Sequence, residues 1–177
     1  MSEPTCSPQQ LRVALLADTH GQVDARVLEL VESCDIAVHG GDIGSAAVLA
    51  SLQPRLGRVY AVRGNNDVFR SWPAEERRLL ERIPRWASVE LPGGILVVEH
   101  SHRLAAAGRH ERLRHRYPHA RVIVYGHSHQ MIADCQKQPW VLNPGAAGYA
   151  RTHGGPSCMV LNASLDAWAV EEHRFAA

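Results

Sequence analysis

The residues best suited to metal chemistry lie in short clusters, each placed directly after a segment predicted to be a β-strand. The first cluster is Asp18-Thr19-His20, in which a carboxylate and an imidazole are two positions apart. Alternate residues of an extended segment point the same way, so Asp18 and His20 could bind one ion together. Because Asp and His are also common in ordinary turns, this pair alone is a weak predictor of a metal site.

The next two clusters, Gly41-Asp42 and Gly64-Asn65, would add oxygen ligands. The two carboxylate oxygens of Asp42 could bridge two cations, and Gly40 and Gly41 would let the backbone approach closely. The amide oxygen of Asn65 is a neutral, hard ligand that suits Mn, Mg or Fe-type ions. Both clusters are also ordinary turn sequences, and Gly64-Asn65 taken alone could simply be a left-handed turn.

Histidines supply the remaining candidate ligands. His100 ends one apolar segment, and Gly126-His127-Ser128-His129 follows another, Val122–Tyr125. Two histidines two positions apart after a strand end can project to one side, with Gly126 permitting the turn. A lone buried histidine is more often structural, but five ordered clusters at predicted strand ends favour a shared site. Open α/β sheets place their binding sites at the carboxyl ends of strands.

The elements that must position these clusters follow from hydrophobic periodicity. The apolar run Leu11–Ala17 is typical of a strand that is buried on both faces. Further strands are predicted over Asp35–His39, Arg58–Val62, Trp86–Leu91, Ile95–His100, Arg121–Tyr125, Gln130–Asp134, Trp140–Asn143, Ser157–Asn162 and Ala167–Glu172. Helices are predicted over 23–33, Ser45–Leu52, Pro73–Ile83 and Ala105–Tyr117. Strand–helix alternation followed by consecutive strands predicts an α/β fold with two packed sheets and helices outside.

Length and composition predict a single domain with its own core. The chain has 177 residues, of which 45% are hydrophobic. Residues 1–10 are predicted to be a disordered or frayed N-terminal tail, which leaves 11–177 as the domain. The formal net charge of +1 argues against a strongly basic nucleic-acid binder or an acidic tail.

The sequence predicts no membrane segment and no disulfide framework. No segment approaches the roughly 20 apolar residues that a membrane span needs, and the polar N-terminus lacks a signal peptide's apolar run. The four cysteines form no CxxC pair, so a reduced, cytoplasmic setting is expected. Oligomeric state stays open, because Trp72 or Tyr149 could mark a homo-oligomer interface or belong to the core.

Taken in order, Asp-x-His, Gly-Asp, Gly-Asn, His and Gly-His-x-His resemble the signature of calcineurin-like metallophosphoesterases. The short length, the Asn143-Pro144-Gly145 segment and the direct run from Gly64 to His100 are similar to the small YfcE-type bacterial and archaeal phosphodiesterases. The resemblance covers about residues 11–175. It implies a four-layer αββα sandwich, in which two mixed β-sheets are flanked by helices.

The resemblance also implies two divalent metal ions and assigns their ligands. One ion would be held by Asp18, His20, Asp42 and His129, and the other by Asp42, Asn65, His100 and His127, with Asp42 bridging. Mn²⁺ is the expected ion, with Ni²⁺, Fe, Zn²⁺ or Mg²⁺ as alternatives, because a mixed nitrogen and oxygen shell suits calcium poorly.

The implied function is hydrolysis of phosphate esters by in-line attack of a metal-bridging hydroxide. The substrate would be a small-molecule phosphodiester, small or nucleotide-like, rather than a monoester. The alternative is a non-catalytic metal-binding or protein-binding scaffold of the same fold, since the eukaryotic retromer scaffold subunit resembles this family. A nuclease role is not expected, because the short, nearly neutral chain leaves little room for a nucleic-acid tract.

Several positions depart from the family pattern. Asn66 stands where many members have a histidine that can protonate the leaving group, and an amide has no such proton. Asp67 is a candidate substitute if its pKa is raised. His102, beside the assigned ligand His100, could be a ligand or a phosphate contact. Arg151 could hold a phosphate bidentately or be an ordinary surface arginine.

Two charged features are expected to face solvent. Glu99 could orient a ligand histidine, but a solvent-facing side chain is the preferred interpretation. The run Arg109–Arg116, with four arginines and two histidines, could steer an anionic substrate, but a solvated helix face is preferred.

Overall fold

The computed structural model describes residues 10–177 and contains two five-stranded sheets. The strands are β1 (Gln10–Leu16), β2 (Ile36–His39), β3 (Arg58–Ala61), β4 (Trp86–Leu91), β5 (Gly94–Glu99), β6 (Val122–Tyr125), β7 (Met131–Asp134), β8 (Trp140–Pro144), β9 (Ser157–Ser164) and β10 (Trp168–Arg174). The helices are α1 (Ala25–Glu32), α2 (Ala46–Ser51), α3 (Arg77–Arg82) and α4 (Arg109–Arg116), and a 3-10 turn over Ala74–Glu76 precedes α3.

The first sheet has the strand order β10-β9-β1-β2-β3. Strands β1, β2 and β3 run parallel, with α1 and α2 in the connections between them, while β9 pairs antiparallel with β1 and β10 pairs antiparallel with β9. Helix α1 begins after Asp24, whose side chain accepts a hydrogen bond from the Arg26 N–H and so satisfies a free helix donor. Because β1, β2 and β3 are parallel, their carboxyl ends lie at the same edge of this sheet.

The second sheet has the strand order β4-β5-β6-β8-β7. Strands β5, β6 and β8 run parallel, whereas β4 and β7 pair antiparallel with β5 and β8 respectively. The β4–β5 hairpin turns at Gly93, which has a φ of 84° that glycine adopts without a steric cost. Both sheets are thus mixed, as the family resemblance implied.

The main core lies between the two sheets. Alternate residues of β1 divide between its two faces: Val13 and Leu15 pack toward the second sheet, and Ala14 and Leu16 pack toward α1. This double burial explains why the segment is almost continuously apolar, since each fully buried Val or Leu side chain contributes about 1.5–3 kcal/mol. Helix α4 covers the outer face of the second sheet through Leu113. The result is the predicted four-layer αββα arrangement.

Two charged features differ from the sequence-based expectation. Glu99 is buried, where it accepts hydrogen bonds from the Tyr117 hydroxyl (2.6 Å) and the Arg116 guanidinium (2.9 Å). Helix α4 is not a fully solvated face, because Arg109 and Arg114 are buried and Arg114 pairs with Asp134 on β7 at 2.9 Å. The solvent-facing interpretation was therefore wrong for Glu99 and for the buried arginines of α4, since neighbouring elements supply partners that compensate these charges. The exposed residues of α4, as expected, are Glu111, Arg112, His115 and Arg116.

Two predicted boundaries also shift, the end of the N-terminal tail and the start of helix α4. Gln10, assigned to the predicted tail, begins β1, and residues 1–9 lie outside the described part. Residues 105–108 form turns rather than the first turn of α4, because Gly108 has a left-handed φ of 69° directly before the helix. Within residues 10–177, no helix has the length and apolar character needed to cross a membrane.

Candidate metal centre

Five loops bring the candidate ligands to one edge of the sandwich. Each loop follows the carboxyl end of a strand, namely β1, β2, β3, β5 or β6. The first two loops are joined by main-chain hydrogen bonds, from the Asp18 N–H to the Gly41 carbonyl (2.9 Å) and from the His20 N–H to the Asp42 carbonyl (2.9 Å). These bonds continue the parallel pairing of β1 and β2 past the strands, so they fix the spacing of three candidate ligands.

Asp18, His20 and His129 form one group whose ligand atoms lie within 4.8 Å of one another. The Nε2 atoms of the two histidines are 3.2 Å apart, and their rings stack with centroids 5.1 Å apart. The Nε2 atom of His129 also lies 3.6 Å from the Asp18 Oδ1 atom. One buried carboxylate and two imidazoles therefore converge at this point.

Asp18, Asp42 and His100 form a second group within the same distance. The Nε2 atom of His100 lies 3.4 Å from Asp42 Oδ2, 4.0 Å from Asp18 Oδ1 and 3.1 Å from the Asn65 amide oxygen. The same amide oxygen lies 3.0 Å from His127 Nδ1. This group therefore combines carboxylate, amide and imidazole donors.

Asp18 belongs to both groups, and Asp42, a member of the second, also lies close to the first. The Asp42 Oδ2 atom is 3.8 Å from His20 Nε2 on one side and 3.4 Å from His100 Nε2 on the other. This is the place that a carboxylate shared by two cations would occupy. The structure thus brings together all the predicted ligands: Asp18, His20, Asp42, Asn65, His100, His127 and His129.

Hydrogen bonds to backbone carbonyls set the orientation of two histidine rings. His129 Nδ1 donates to the Ala150 carbonyl (2.9 Å), and His100 Nδ1 donates to the Gly40 carbonyl (2.8 Å). With Nδ1 as the donor, the Nε2 atom of each ring faces the cluster, where its lone pair becomes available to a metal when the ring is neutral. Lone pairs that converge in this way fit divalent cations, which would satisfy them together.

Burial and mutual charge shift the pKa values of the cluster. Burial raises the pKa of Asp18 to about 7 and lowers that of His129 to about 4. Burial would also raise the pKa of Asp42, but hydrogen bonds and charge from His100 and donors on Asn66 hold it well below its usual range. A site with one strongly ionised carboxylate and a neutral imidazole is suited to holding metal.

The backbone of these loops is strained at the ligands themselves. Five of the ligands have left-handed φ angles between 48° and 75°, namely Asp18, His20, Asp42, His127 and His129. Such conformations cost non-glycine residues about 1–3 kcal/mol each and are found mainly at functional sites. Nothing in the sequence pattern indicated this strain.

Two glycines make room for the cluster. A Cβ atom on Gly64 would overlap the Asp42 carboxylate, and one on Gly126 would lie 2.9 Å from His100 Nδ1. Any larger residue would therefore push the ligand loops apart. These glycines are the reason that ligands from separate strands can approach closely.

The family model for the calcineurin-like phosphoesterase superfamily domain matches residues 11–166. The chain belongs to the calcineurin-like phosphoesterase superfamily. The two mixed sheets and the ligand-bearing loops described above agree with this membership. A comparison with curated proteins found no match.

Several solved structures have a similar fold. An archaeal phosphodiesterase is 22% identical with a TM-score of 0.66, covering 92% of this chain and 100% of that one. A predicted phosphoesterase from Streptococcus pneumoniae TIGR4 is 18% identical with a TM-score of 0.64, covering 95% and 91%. Vacuolar Protein Sorting 29 from Cryptosporidium parvum is 18% identical with a TM-score of 0.71, covering 96% and 100%. At these identities the comparison establishes the fold alone.

Asn66 and Asp67, the two residues after the candidate ligand Asn65, have different surroundings in this phosphoesterase-family site. Asn66 is exposed and directs its backbone N–H and its side-chain Nδ2 at Asp42. Asp67 is buried and accepts hydrogen bonds from the Ile43, Gly44 and Gly64 N–H groups and from the Trp72 indole. Asp67 therefore stabilises the loops that follow β2 and β3. Its carboxylate is occupied by these hydrogen bonds, so we no longer assign it as a proton donor.

His102 and Arg151 lie on opposite sides of the cluster. The His102 ring centroid is 5.6 Å from that of His100, whereas Arg151 Nη2 lies 3.2 Å from His129 Nε2 and 3.3 Å from His20 Nε2. The Arg151 guanidinium therefore reaches the cluster instead of projecting away from the molecule. Its φ of 53° is also left-handed, like that of the ligands.

Two bracing residues were missed by sequence reasoning. Asn143 donates from Nδ2 to the Gly126 carbonyl (3.1 Å) and to Ser128 Oγ (2.9 Å), which holds the loop that carries two histidines. His39 is fully buried and bonds Thr19 Oγ1 through Nε2 at 2.9 Å, linking the first two loops. The structural role of Asn143 could have been inferred from its place at a predicted strand end. For His39, the sequence offered one indication, a polar histidine at the end of an apolar strand.

Proposed function

We propose that this protein is a dinuclear-metal-dependent phosphodiesterase. The observation that carries the proposal is the convergence of carboxylate, amide and imidazole ligands from five strand ends around Asp42. Membership of the calcineurin-like phosphoesterase superfamily supports hydrolysis of phosphate esters, and the fold shared with an archaeal phosphodiesterase supports the preference for diesters.

The ligand set divides between two divalent ions. Asp18, His20 and His129 would hold one ion, Asn65, His100 and His127 the other, and Asp42 would contribute to both. When bound, the pair of ions would supply Lewis acidity and an activated water for in-line displacement at phosphorus. The shared fold of Vps29 from Entamoeba histolytica, a protein solved in complex with Zn²⁺, supports binding of divalent ions. We retain Mn²⁺ as the proposed ion.

Arg151 is the proposed phosphate contact of the chain itself. Its guanidinium lies within 3.3 Å of both His20 and His129, so it presents positive charge beside the cluster. Guanidinium groups bind phosphoryl oxygens bidentately and remain charged at any physiological pH. Arg151 would therefore orient the phosphodiester and stabilise the negative charge that develops during displacement.

A turnover assay with the metal-stripped protein tests the proposal. Phosphodiester and phosphomonoester substrates are offered with Mn²⁺, Ni²⁺, Mg²⁺ or Zn²⁺ restored one ion at a time. We expect no turnover without metal, and hydrolysis of diesters in preference to monoesters with at least one ion. Absence of diester hydrolysis with every ion, in protein shown to bind that ion, would refute the proposal.

A non-catalytic scaffold is the second candidate. Similarity in fold to Vacuolar Protein Sorting 29 supports it, as does a cavity of about 740 Å³ that is lined by the exposed side chains of Leu56 and Leu165. The two candidates differ in what metal does. A scaffold would bind metal and be stabilised by it without hydrolysing any diester, whereas the proposed enzyme would do both.

A further inference from the structure

A basic cleft adjoins the metal centre on the side of Asn65 and His100. It consists of two neighbouring cavities of about 460 Å³ and 310 Å³, which share Arg85 and His102 in their walls. The larger cavity includes His100 in its lining, and the smaller includes Asn65. A group bound in the cleft would therefore be continuous with a substrate at the candidate metal ligands.

Positive charge dominates the cleft. Arg63, Arg85, Arg103 and Arg116 line it, against the carboxylates of Glu99 and Asp67. Both carboxylates already accept several protein hydrogen bonds, Glu99 from Tyr117 and Arg116, and Asp67 from backbone N–H groups. The free charge that remains is cationic, which favours an anionic ligand.

Three of the residues that line the cleft carry buried polar atoms without partners. Within residues 10–177, Ser101 Oγ, His102 Nδ1 and Arg63 Nε are buried with no hydrogen-bond partner in the protein. Ser101 is only 5% exposed, and its φ of 65° is left-handed, a conformation that is strained for serine. Buried polar groups are normally satisfied, so unsatisfied ones in the wall of a cleft are candidates for bonds to a ligand bound there.

An aromatic surface completes the cleft. Trp86, the first residue of β4, lines the larger cavity and is 54% exposed, while its ring lies 6.2 Å from that of Tyr117. Phe69 lines the smaller cavity and is 47% exposed. Exposed aromatic side chains beside arginines are the combination that binds nucleotides, because bases stack on the rings and phosphates pair with the guanidinium groups.

We propose that this cleft binds a nucleotide arm of the phosphodiester, with the base against Trp86 and a further phosphate contacted by Arg85 and Ser101. As a substrate subsite, it rests on the proposed function and names the substrate class for that site. The cavity volumes suit a group of this size.

Equilibrium binding tests the cleft without depending on catalysis. Thymidine 3′,5′-bisphosphate is titrated into metal-free protein while tryptophan fluorescence is followed, with inorganic phosphate as the comparison ligand. We expect quenching that disappears in Trp86→Phe, and binding that is about tenfold weaker in Arg85→Ala and in Ser101→Gly. Ser101→Gly should at the same time raise Tm, since glycine relieves the strained φ.

The matched control is Arg58→Ala, because Arg58 lies at the amino end of β3, opposite the site. It should bind like the wild type. Binding of the bisphosphate that is unchanged in Arg85→Ala and Ser101→Gly would overturn the proposal, as would an affinity no greater than that for inorganic phosphate.

Turnover then separates the subsite from the proposed function. Thymidine 5′-(p-nitrophenyl phosphate) and its 3′-phosphorylated form are compared in metal-restored protein. We expect kcat/KM to be about tenfold higher for the 3′-phosphorylated substrate, and Arg85→Ala to lose that ratio. Equal kcat/KM for the two diesters in the wild type would refute the subsite, whereas failure to hydrolyse either one despite normal bisphosphate binding would refute the phosphodiesterase function alone.

Discussion

Asn66 contacts both carboxylate oxygens of Asp42. Its backbone N–H donates to Oδ1 at 2.8 Å, and its side-chain Nδ2 donates to Oδ2 at 2.7 Å. Two donors from one residue fix the plane of the carboxylate and leave its remaining lone pairs directed at the histidines. Asn66 therefore orients Asp42, the proposed bridging ligand. It does not act as an acid, because an amide carries no ionisable proton.

Loss of the Asn66 side chain should therefore weaken metal binding. Asn66→Ala removes one of the two donors, and we expect Mn²⁺ affinity to fall about 10- to 100-fold, as is typical when a residue that orients a metal ligand is lost. Isothermal titration measures the affinity. Asn162→Ala is the matched control, because that amide bonds Glu171 on the far strands and should not alter it. An unchanged affinity in Asn66→Ala would contradict the assigned role.

The absence of a proton donor at Asn66 also predicts the leaving-group dependence of the rate. Diesters with acidic leaving groups, such as nitrophenols, need no protonation and should be hydrolysed much faster than diesters of simple alcohols. A series of diesters with graded leaving-group pKa, assayed with one metal, measures this slope. A rate that is independent of leaving-group pKa would show that another residue supplies the proton.

The ligand set could be predicted from sequence because strand ends impose proximity. Parallel strands finish at the same edge, so Asp18, Asp42 and Asn65 had to lie near one another once β1, β2 and β3 were identified. Strand β4 was predicted with both ends correct, since Trp86 and Leu91 bound an alternating segment before a Pro-Gly-Gly turn. These are local signals, and the family resemblance supplied the order in which they occur.

What the sequence did not predict depends on contacts between distant elements. Glu99 is buried because Tyr117, at the end of α4, donates to it, and no periodicity indicates that pairing. Arg114 is buried for the same kind of reason, through Asp134 on β7. The basic cleft was also missed, because Arg63 and Arg85 belong to separate loops that become neighbours only in the folded chain.

Asp42→Ala and His127→Ala should each abolish turnover while leaving the fold intact. Asp42 lies close to ligands of both groups, and His127 contacts Asn65, and both follow the ends of strands, so each variant removes a ligand that is not part of a sheet. Steady-state rates measure the loss, and circular dichroism confirms the fold. The exposed residue His119 provides the control variant His119→Ala, which should keep the wild-type rate. Near-normal turnover in either ligand variant would remove that residue from the metal centre.

His39 is the buried histidine that links the first two ligand loops. Its Nδ1 atom accepts a hydrogen bond from the Gly41 N–H (3.1 Å), so the ring hydrogen lies on Nε2 and is donated to Thr19 Oγ1 (2.9 Å). The Thr19 hydroxyl in turn donates to the Ile43 carbonyl (3.0 Å). Protonation of Nδ1 would break the bond to Gly41, and burial lowers the pKa of His39 to about 4.

The free energy of unfolding should therefore fall in acid because of His39. An unfolded histidine takes up a proton near its usual pKa of about 6.5, whereas folded His39 resists protonation down to about 4. The stabilisation is thus complete above about pH 6.5 and is lost as the pH falls toward 4, at roughly 1.4 kcal/mol per pH unit. Between pH 7 and 5 this one group accounts for about 2 kcal/mol.

Urea denaturation of the metal-free protein at pH 7 and pH 5 measures this contribution. His39→Gln keeps a polar side chain but cannot titrate, so its free energy of unfolding should decrease less than that of the wild type by about 2 kcal/mol. The exposed His119 serves again as the reference, since His119→Gln should keep the full wild-type dependence. If His39→Gln and the wild type lost equal stability between the two pH values, the proton would be taken up elsewhere, and the neutral His39 bridge between the ligand loops would be wrong.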